Sequence, residues 1–204
     1  MKKHLDNFLV DNPVLVRSFG FVSILAASTT VKGALLMTLA VTAIMILTSL
    51  IVSLFKKLID EKFEDIIFLI LIAAFSVVAT LLLEFYYPTT VPNMGLSVSL
   101  IAVNSLLLHR LQSHAIGESV GNAVIGAIMD GIGYLLVIVV MAIFRELLGM
   151  GTLLGIRIIP KELIIPTFAT PIFAFIILGL LIAFNNWYTR KTKLGRARKW
   201  HWFK

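Results

Sequence analysis

Cysteine is absent from this chain of 204 residues. That excludes disulfides, and it excludes any metal or cluster held by the chain's own thiolates. Charge is scarce as well: Asp, Glu, Lys and Arg make up 14% of the residues, against 59% hydrophobic ones. A soluble domain of this length needs more polar surface than that to cover its core. Long polar stretches are missing too. The longest connection between hydrophobic segments, Gly149–Pro166, holds eighteen residues, too few for a catalytic domain outside a membrane. Neither a Ser/His/Asp set nor a metal-ligand spacing is visible. His4, His109, His114 and His201 are scattered, and His109 and His114 are five apart, off a single helical face. GMGTLLG at Gly149–Gly155 is only superficially a nucleotide loop, because it follows no strand and its spacing is wrong. The chain is therefore expected to hold no catalytic residue and no metal of its own. Its start, MKKHLDNFLVDNP, has a basic tip without a continuous apolar stretch and a small-residue cleavage site, so no cleavable signal peptide is expected.

What is present is hydrophobic runs of membrane-spanning length. Six segments are predicted: about Val14–Thr30, Gly33–Phe55, Ile66–Tyr87, Leu96–Leu108, about Val120–Leu148 and Thr167–Trp187. The first and fourth are short. The cleanly apolar part of the first, Ser18–Ser28, has eleven residues. A helix that long reaches roughly 16 Å, about half of the ~30 Å hydrocarbon core. The fourth, LSVSLIAVNSLLL, would reach roughly 20 Å. Each short segment opens one half of the chain, and the halves overlay weakly. Ser49–Ile59 lies over Ile138–Leu148, and Ser18–Leu25 over Ile101–Leu108. A duplicated three-span unit must insert its second copy upside down. The expected fold is thus an all-α polytopic membrane protein, six transmembrane segments as a 3+3 inverted-topology repeat, with half-length helices first and fourth. It forms a single membrane domain over residues 1–204: repeat 1 at about 12–87, repeat 2 at about 94–187, and a basic cytoplasmic tail at 188–204.

The net charge of +7 is concentrated in that tail, where Thr189–Lys204 carries seven of the eighteen Lys and Arg residues. Such a tail binds nucleic acid or anionic lipid in some proteins. The simpler reading is an orientation signal, with no nucleic-acid partner. With six crossings, fourteen basic residues fall on the side of both termini and four on the other, which puts both termini in the cytoplasm.

Ionisable residues inside spans are costly to bury and so carry information. Asp130 sits among Gly126, Gly131 and Gly133. It reads either as an ion- or proton-path carboxylate or as a group capping or pairing across helices. Glu84, one turn before Pro88, is a second ion-path candidate, or it snorkels at the interface. Arg145 and Glu146 are expected at a helix end where solvation is easy. Gly20 and Asn104 neighbour the half-helices, and the Asn104 side chain is suited to satisfying backbone groups freed at a broken helix.

NPVLVRSFG (Asn12–Gly20), LAASTT (Leu25–Thr30), VNSLLLHR (Val103–Arg110), DGIGY (Asp130–Tyr134) and RELLGMGTLLG (Arg145–Gly155) together resemble a known family. It comprises the six-helix D subunit of sodium-translocating NADH:quinone oxidoreductase (Nqr) and the E subunit of the Rnf ferredoxin:NAD oxidoreductase. The resemblance implies an integral subunit of an ion-translocating redox complex in a bacterial or archaeal cytoplasmic (inner) membrane, coupling electron transfer to Na+ or H+ transport. It implies a homologous six-helix partner of opposite topology, further Rnf/Nqr-type subunits, and flavins and other Fe–S centres in those partners. It also implies four cysteines, two from each homologous subunit, holding a 2Fe–2S cluster within the membrane. The family positions fall here on Val22 and Ser105, so the usual cluster is expected to be absent. A divergent complex that bypasses the cluster, a subunit that lost its redox role, and engineered replacement all remain open; the non-conservative Val22 favours natural divergence. A stand-alone inverted-repeat secondary transporter and a purely structural subunit are the alternatives.

Overall fold

The computed structural model describes residues 13–17, 19–60, 62–91, 98–112, 119–160, 162 and 164–200. His4, His114, His201, Leu96, the start of repeat 1 at residue 12 and the last residues of the basic tail lie outside them. The described chain is mostly helical. Its helices are α1 (Pro13–Arg17), α2 (Phe21–Ala27), α3 (Val31–Phe55), α4 (Glu64–Tyr86), α5 (Ser105–Arg110), α6 (Val120–Met150) and α7 (Pro171–Trp200). Short 3-10 turns at Ser99–Ile101 and Pro166–Ala169 precede α5 and α7. Among the described residues four helices are long and apolar enough to cross a membrane: Val31–Phe55, Glu64–Tyr86, Val120–Met150 and Pro171–Arg190. This is a multi-pass membrane protein.

The centre of the fold is the pairing of α3 with α6, the most extensive between any two elements. Glu146 near the end of α6 accepts from Val31 N at the start of α3, so the two helices run antiparallel. A stripe of α3, with Ala34, Met37, Val41, Ile44, Met45 and Val52, is buried against Tyr134, Val137, Ile138 and Met141 of α6 and their neighbours. Small residues make the approach close. A methyl on Gly131 would come within 3.0 Å of Thr42 Cβ, and, where α6 meets the turn before α7, one on Gly149 would come within 2.6 Å of Ala169 N. Thr30 starts α3 in extended conformation, its hydroxyl oxygen accepting from Gly33 N at 3.1 Å, a good N-cap. The outer helices are less enclosed. Only Phe68, Ile72, Ser76 and Leu83 of α4 are buried, a narrow stripe at helical spacing flanked by the partly buried Leu71, Phe75 and Ala79, while Leu69, Ile70, Val77, Val78, Leu81 and Leu82 face outward.

Two predicted segments are not single short helices. The first is split into α1 and α2 around Gly20, whose φ of 75° and ψ of 13° are left-handed. Glycine has no Cβ to oppose that conformation. The fourth is expected from hydropathy as one thirteen-residue helix. Instead a 3-10 turn leads to an extended Asn104 (ψ 111°), and only then to α5. The Asn104 side chain accepts from Leu106 N at 3.0 Å, an N-cap bond that competes with helix continuing through that position. The last helix starts at Pro171, four residues later than hydropathy predicts, because proline suits the first helical position. It then continues into the basic tail as far as Trp200. The all-α expectation also misses a small hairpin, Thr152–Leu153 paired with Ile156–Arg157. Its turn residues Leu154 and Gly155 both have positive φ, 55° and 85°, as a tight two-residue hairpin requires.

The glycine packing gives a first prediction. Gly131→Leu should lower stability by about 1–3 kcal/mol or more through overpacking against Thr42. Gly179→Leu, where a Cβ meets nothing within 4 Å, should be neutral or better. Thermal unfolding of the two variants in detergent compares them directly; equal melting temperatures would refute the close α3–α6 approach.

Candidate functional site

The two interrupted segments meet, and the contact is made by the groups that the breaks release. Gly20 N donates to Ser105 Oγ at 3.0 Å, across 85 positions of sequence. Ser23 on α2 donates its hydroxyl to Gly20 O at 2.9 Å. The same Ser23 Oγ accepts from Asn104 Nδ2 and from Tyr134 OH, both at 3.0 Å. A hydroxyl has one proton and two lone pairs, so Ser23 is fully used. Asn104 spends its carbonyl oxygen on Leu106 N and its amide on Ser23. Ser23, Asn104 and Tyr134 are all buried. Gly20 is again the residue that fits: a Cβ there would lie 3.2 Å from Asn104 Oδ1 and 3.4 Å from the Tyr134 ring. Phe19, beside Gly20, stacks on His109 of α5 at 4.1 Å between ring centroids.

Val22 and Ser105 stand at the edge of this network, not inside it. Val22 is 62% exposed, Val103, two residues before Ser105, is 73% exposed, and Ser105 also faces outward. Val22 offers no donor atom to a metal. Ser105 offers a hard oxygen that already accepts the Gly20 N–H. Iron–sulfur clusters are held by soft thiolates. The residues present therefore do not fit a share in a four-cysteine cluster. No group of three or more His, Cys, Asp or Glu residues suited to a metal occurs among the described residues.

Asp130 has a partner that sequence reasoning misses. Arg110 Nη1 lies 3.3 Å from Asp130 Oδ2, with the arginine side chain 5% exposed and the aspartate 25%. Arg110 Nη2 also donates to Ala123 O at 3.1 Å. By sequence, Arg110 reads as the polar close of the fourth segment. The one signal pointing to the pair is Gly126, one turn before Asp130, which leaves room for a side chain crossing α6. Glu84 lies on the exposed side of α4 near its end, next to outward-facing Phe85, Tyr86 and Tyr87. It makes no hydrogen bond or ion pair among the described residues, and the fold does not bring it to Asp130's pair.

Arg145 and Glu146 are not solvated at a helix end. They are 1% and 2% exposed, because α6 runs one turn further and the hairpin folds back over it. Arg145 Nη1 donates to Leu25 O and Ser28 Oγ, each at 2.8 Å, and Nη2 donates to Ala169 O at 2.7 Å. A cation beside the last carbonyls of α2 is favourably placed for that helix end. Glu146 Oε2 accepts from Val31 N at 2.6 Å, while Oε1 accepts from Thr152 Oγ1 and Gly155 N, both at 3.1 Å. The adjacent pair ties α2, α3, the hairpin and the lead into α7 to one point on α6.

Fold and site together define a helical, multi-pass membrane protein in which two interrupted segments are clasped by buried polar side chains. The description "Rnf-Nqr subunit, membrane protein" matches residues 1–182, and the chain belongs to that family. It is 29% identical to the E subunit of the Na(+)-translocating ferredoxin:NAD(+) oxidoreductase complex of Acetobacterium woodii, over 94% of this chain and 98% of that one. It is 32% identical to the E subunit of the ion-translocating oxidoreductase complex of Pseudoalteromonas atlantica, over 86% of this chain and 82% of the relative. With the D subunit of the Na(+)-translocating NADH-quinone reductase of Chlamydia trachomatis, identity is 35% over 78% of this chain and 74% of the relative. The resemblance carried by the sequence motifs is borne out.

The clasp is testable by a double-mutant cycle. Ser23→Ala and Asn104→Ala should each cost about 1–3 kcal/mol, since each leaves buried partners unsatisfied. The double variant should cost less than the sum, because the two share one bond. Additive losses in thermal unfolding would show that the network does not act as a unit.

Proposed function

We propose that this chain is the integral membrane subunit of an Rnf- or Nqr-type ion-translocating oxidoreductase, serving the coupling of electron transfer to Na+ or H+ transport. The observation that carries this reading is similarity to such subunits along almost the whole chain, 94% of it for the Acetobacterium relative. The subunit has no autonomous active site. Its architecture is six segments in two inverted three-segment units, with both termini cytoplasmic in a cytoplasmic (inner) membrane. An interrupted segment in each half, joined by the bond from Gly20 to Ser105, supports the repeat. The excess of fourteen basic residues over four supports the orientation.

The surface carrying Val22, Val103 and Ser105 is where a homologous six-helix subunit of opposite topology docks. Non-helical backbone at membrane depth is tolerated only under protein or water, which supports a protein cover there. Other Rnf/Nqr-type subunits supply flavins and further Fe–S centres. This chain contributes no ligand to an intramembrane 2Fe–2S cluster, in keeping with valine and an engaged serine at the two positions. Asp130 is the ion-path carboxylate, and Glu84 is a second candidate at the surface.

Affinity purification in mild detergent tests the assignment. Flavin-bearing subunits should co-purify; a lone homodimer with a substrate-dependent thermal shift would instead identify a stand-alone transporter. In the reconstituted complex, Asp130→Asn should lower coupled ion transport, and unchanged transport would remove that role. Electron paramagnetic resonance should give no two-iron signal assignable to this subunit, and such a signal would overturn the clusterless reading.

A further inference from the structure

A carboxylate within a span does not stand as an uncompensated charge; it takes a proton, pairs with a cationic side chain, or takes a cation from outside. At Asp130 the cation belongs to the chain itself. Arg110 reaches it from the last turn of α5, Nη1 to Oδ2 at 3.3 Å. The guanidinium is held a second time, by the donation of Nη2 to Ala123 O at 3.1 Å. It lies flat against α6 because residue 126 is glycine: a methyl there would come within 2.5 Å of Arg110 Cζ and 2.6 Å of Nη1. Exposure is unequal across the pair, with the aspartate a quarter exposed and the arginine nearly buried. The carboxylate thus keeps an opening to its surroundings while its arginine sits behind it.

We propose that Arg110 occupies the seat of a monovalent cation at Asp130 as a tethered competitor. A free Na+ gains this carboxylate only when the guanidinium leaves it. The proposal rests on the reading of Asp130 as an ion-path residue and adds what controls its occupancy. As with other tethered ligands, the guanidinium has an effective local concentration on the order of millimolar or more. It therefore holds the site until a rearrangement of α5 against α6 withdraws it. The bond from Gly20 to Ser105 places the first residue of α5 at the junction of the two broken segments, so movement there is transmitted to Arg110 five residues on.

The test uses the purified full-length chain. Its melting temperature is followed as NaCl replaces N-methylglucamine chloride at constant ionic strength. The wild type should be flat, because its carboxylate is already paired. Arg110→Gln should gain a Na+-dependent rise of roughly 5 °C, the size expected when a ligand saturates a single site. Gly126→Ala, which keeps the arginine but obstructs its seat, should gain a smaller rise, and it carries the test if Arg110→Gln does not fold. Adding Asp130→Asn to either variant should abolish the response. A flat response in every folded variant, or an equal rise in the wild type, would overturn the proposal. Failure of the wider functional reading is registered separately, by the absence of redox subunits on purification.

Discussion

A buried backbone group released by a broken helix must find its partner within the protein, because neither the core nor lipid supplies a hydrogen bond. The rest of this structure depends on that constraint. The chain interrupts two of its segments, at Gly20 and at Asn104, and each interruption frees donors and carbonyls. The remedy is reciprocal: Ser105 of the second segment receives the Gly20 N–H of the first, and Ser23 of the first receives the Asn104 amide of the second. Tyr134 on α6 adds a third element to the same hydroxyl. Neither broken segment is satisfied without the other, so the two halves of the chain are bound at their weakest points.

Buried charge serves the same end. An isolated ion in this environment is prohibitively costly, and each one here is engaged by several groups. Arg145 covers the carbonyl end of α2 and reaches the lead into α7. Glu146, its neighbour, caps the amide end of α3 and holds the hairpin. Arg110 and Asp130 join α5 to α6. The long helices α3 and α6 thereby act as a frame against which shorter pieces are pinned by charge-assisted hydrogen bonds, the stronger class. Glycine sets the spacing of that frame at Gly131 and admits the guanidinium at Gly126.

With no cysteine in the chain, the junction is held without thiolates. A metal centre clamps elements through strong bonds to soft ligands. Here the contact between broken segments consists of hydrogen bonds among serine, asparagine, tyrosine and backbone. The outward-facing residues beside it, Val22 and Val103, are apolar. Such side chains offer nothing for coordination chemistry.

Much of this is legible from residue types and their order. Long apolar runs dictate membrane helices, because a helix satisfies its backbone groups within one continuous segment. The shortness of two segments marks where the helical pattern departs from full spans, though it reads as half-length helices and not as the breaks that are found, and the quoted motifs carry the family. The aptness of Asn104 for freed backbone groups follows from its side chain, which presents donor and acceptor together. What lies out of reach depends on contacts between distant positions. Arg110 resembles a segment's polar end, and Arg145 with Glu146 resembles a solvated pair, because side-chain length and hydropathy do not reveal which neighbour a charge will meet. The break at Gly20 and the pairing of Arg110 with Asp130 require the packing of α5 and α2 on α6. Hydropathy along the chain determined the four long apolar helices able to cross a bilayer; three-dimensional packing alone decided which polar groups find one another.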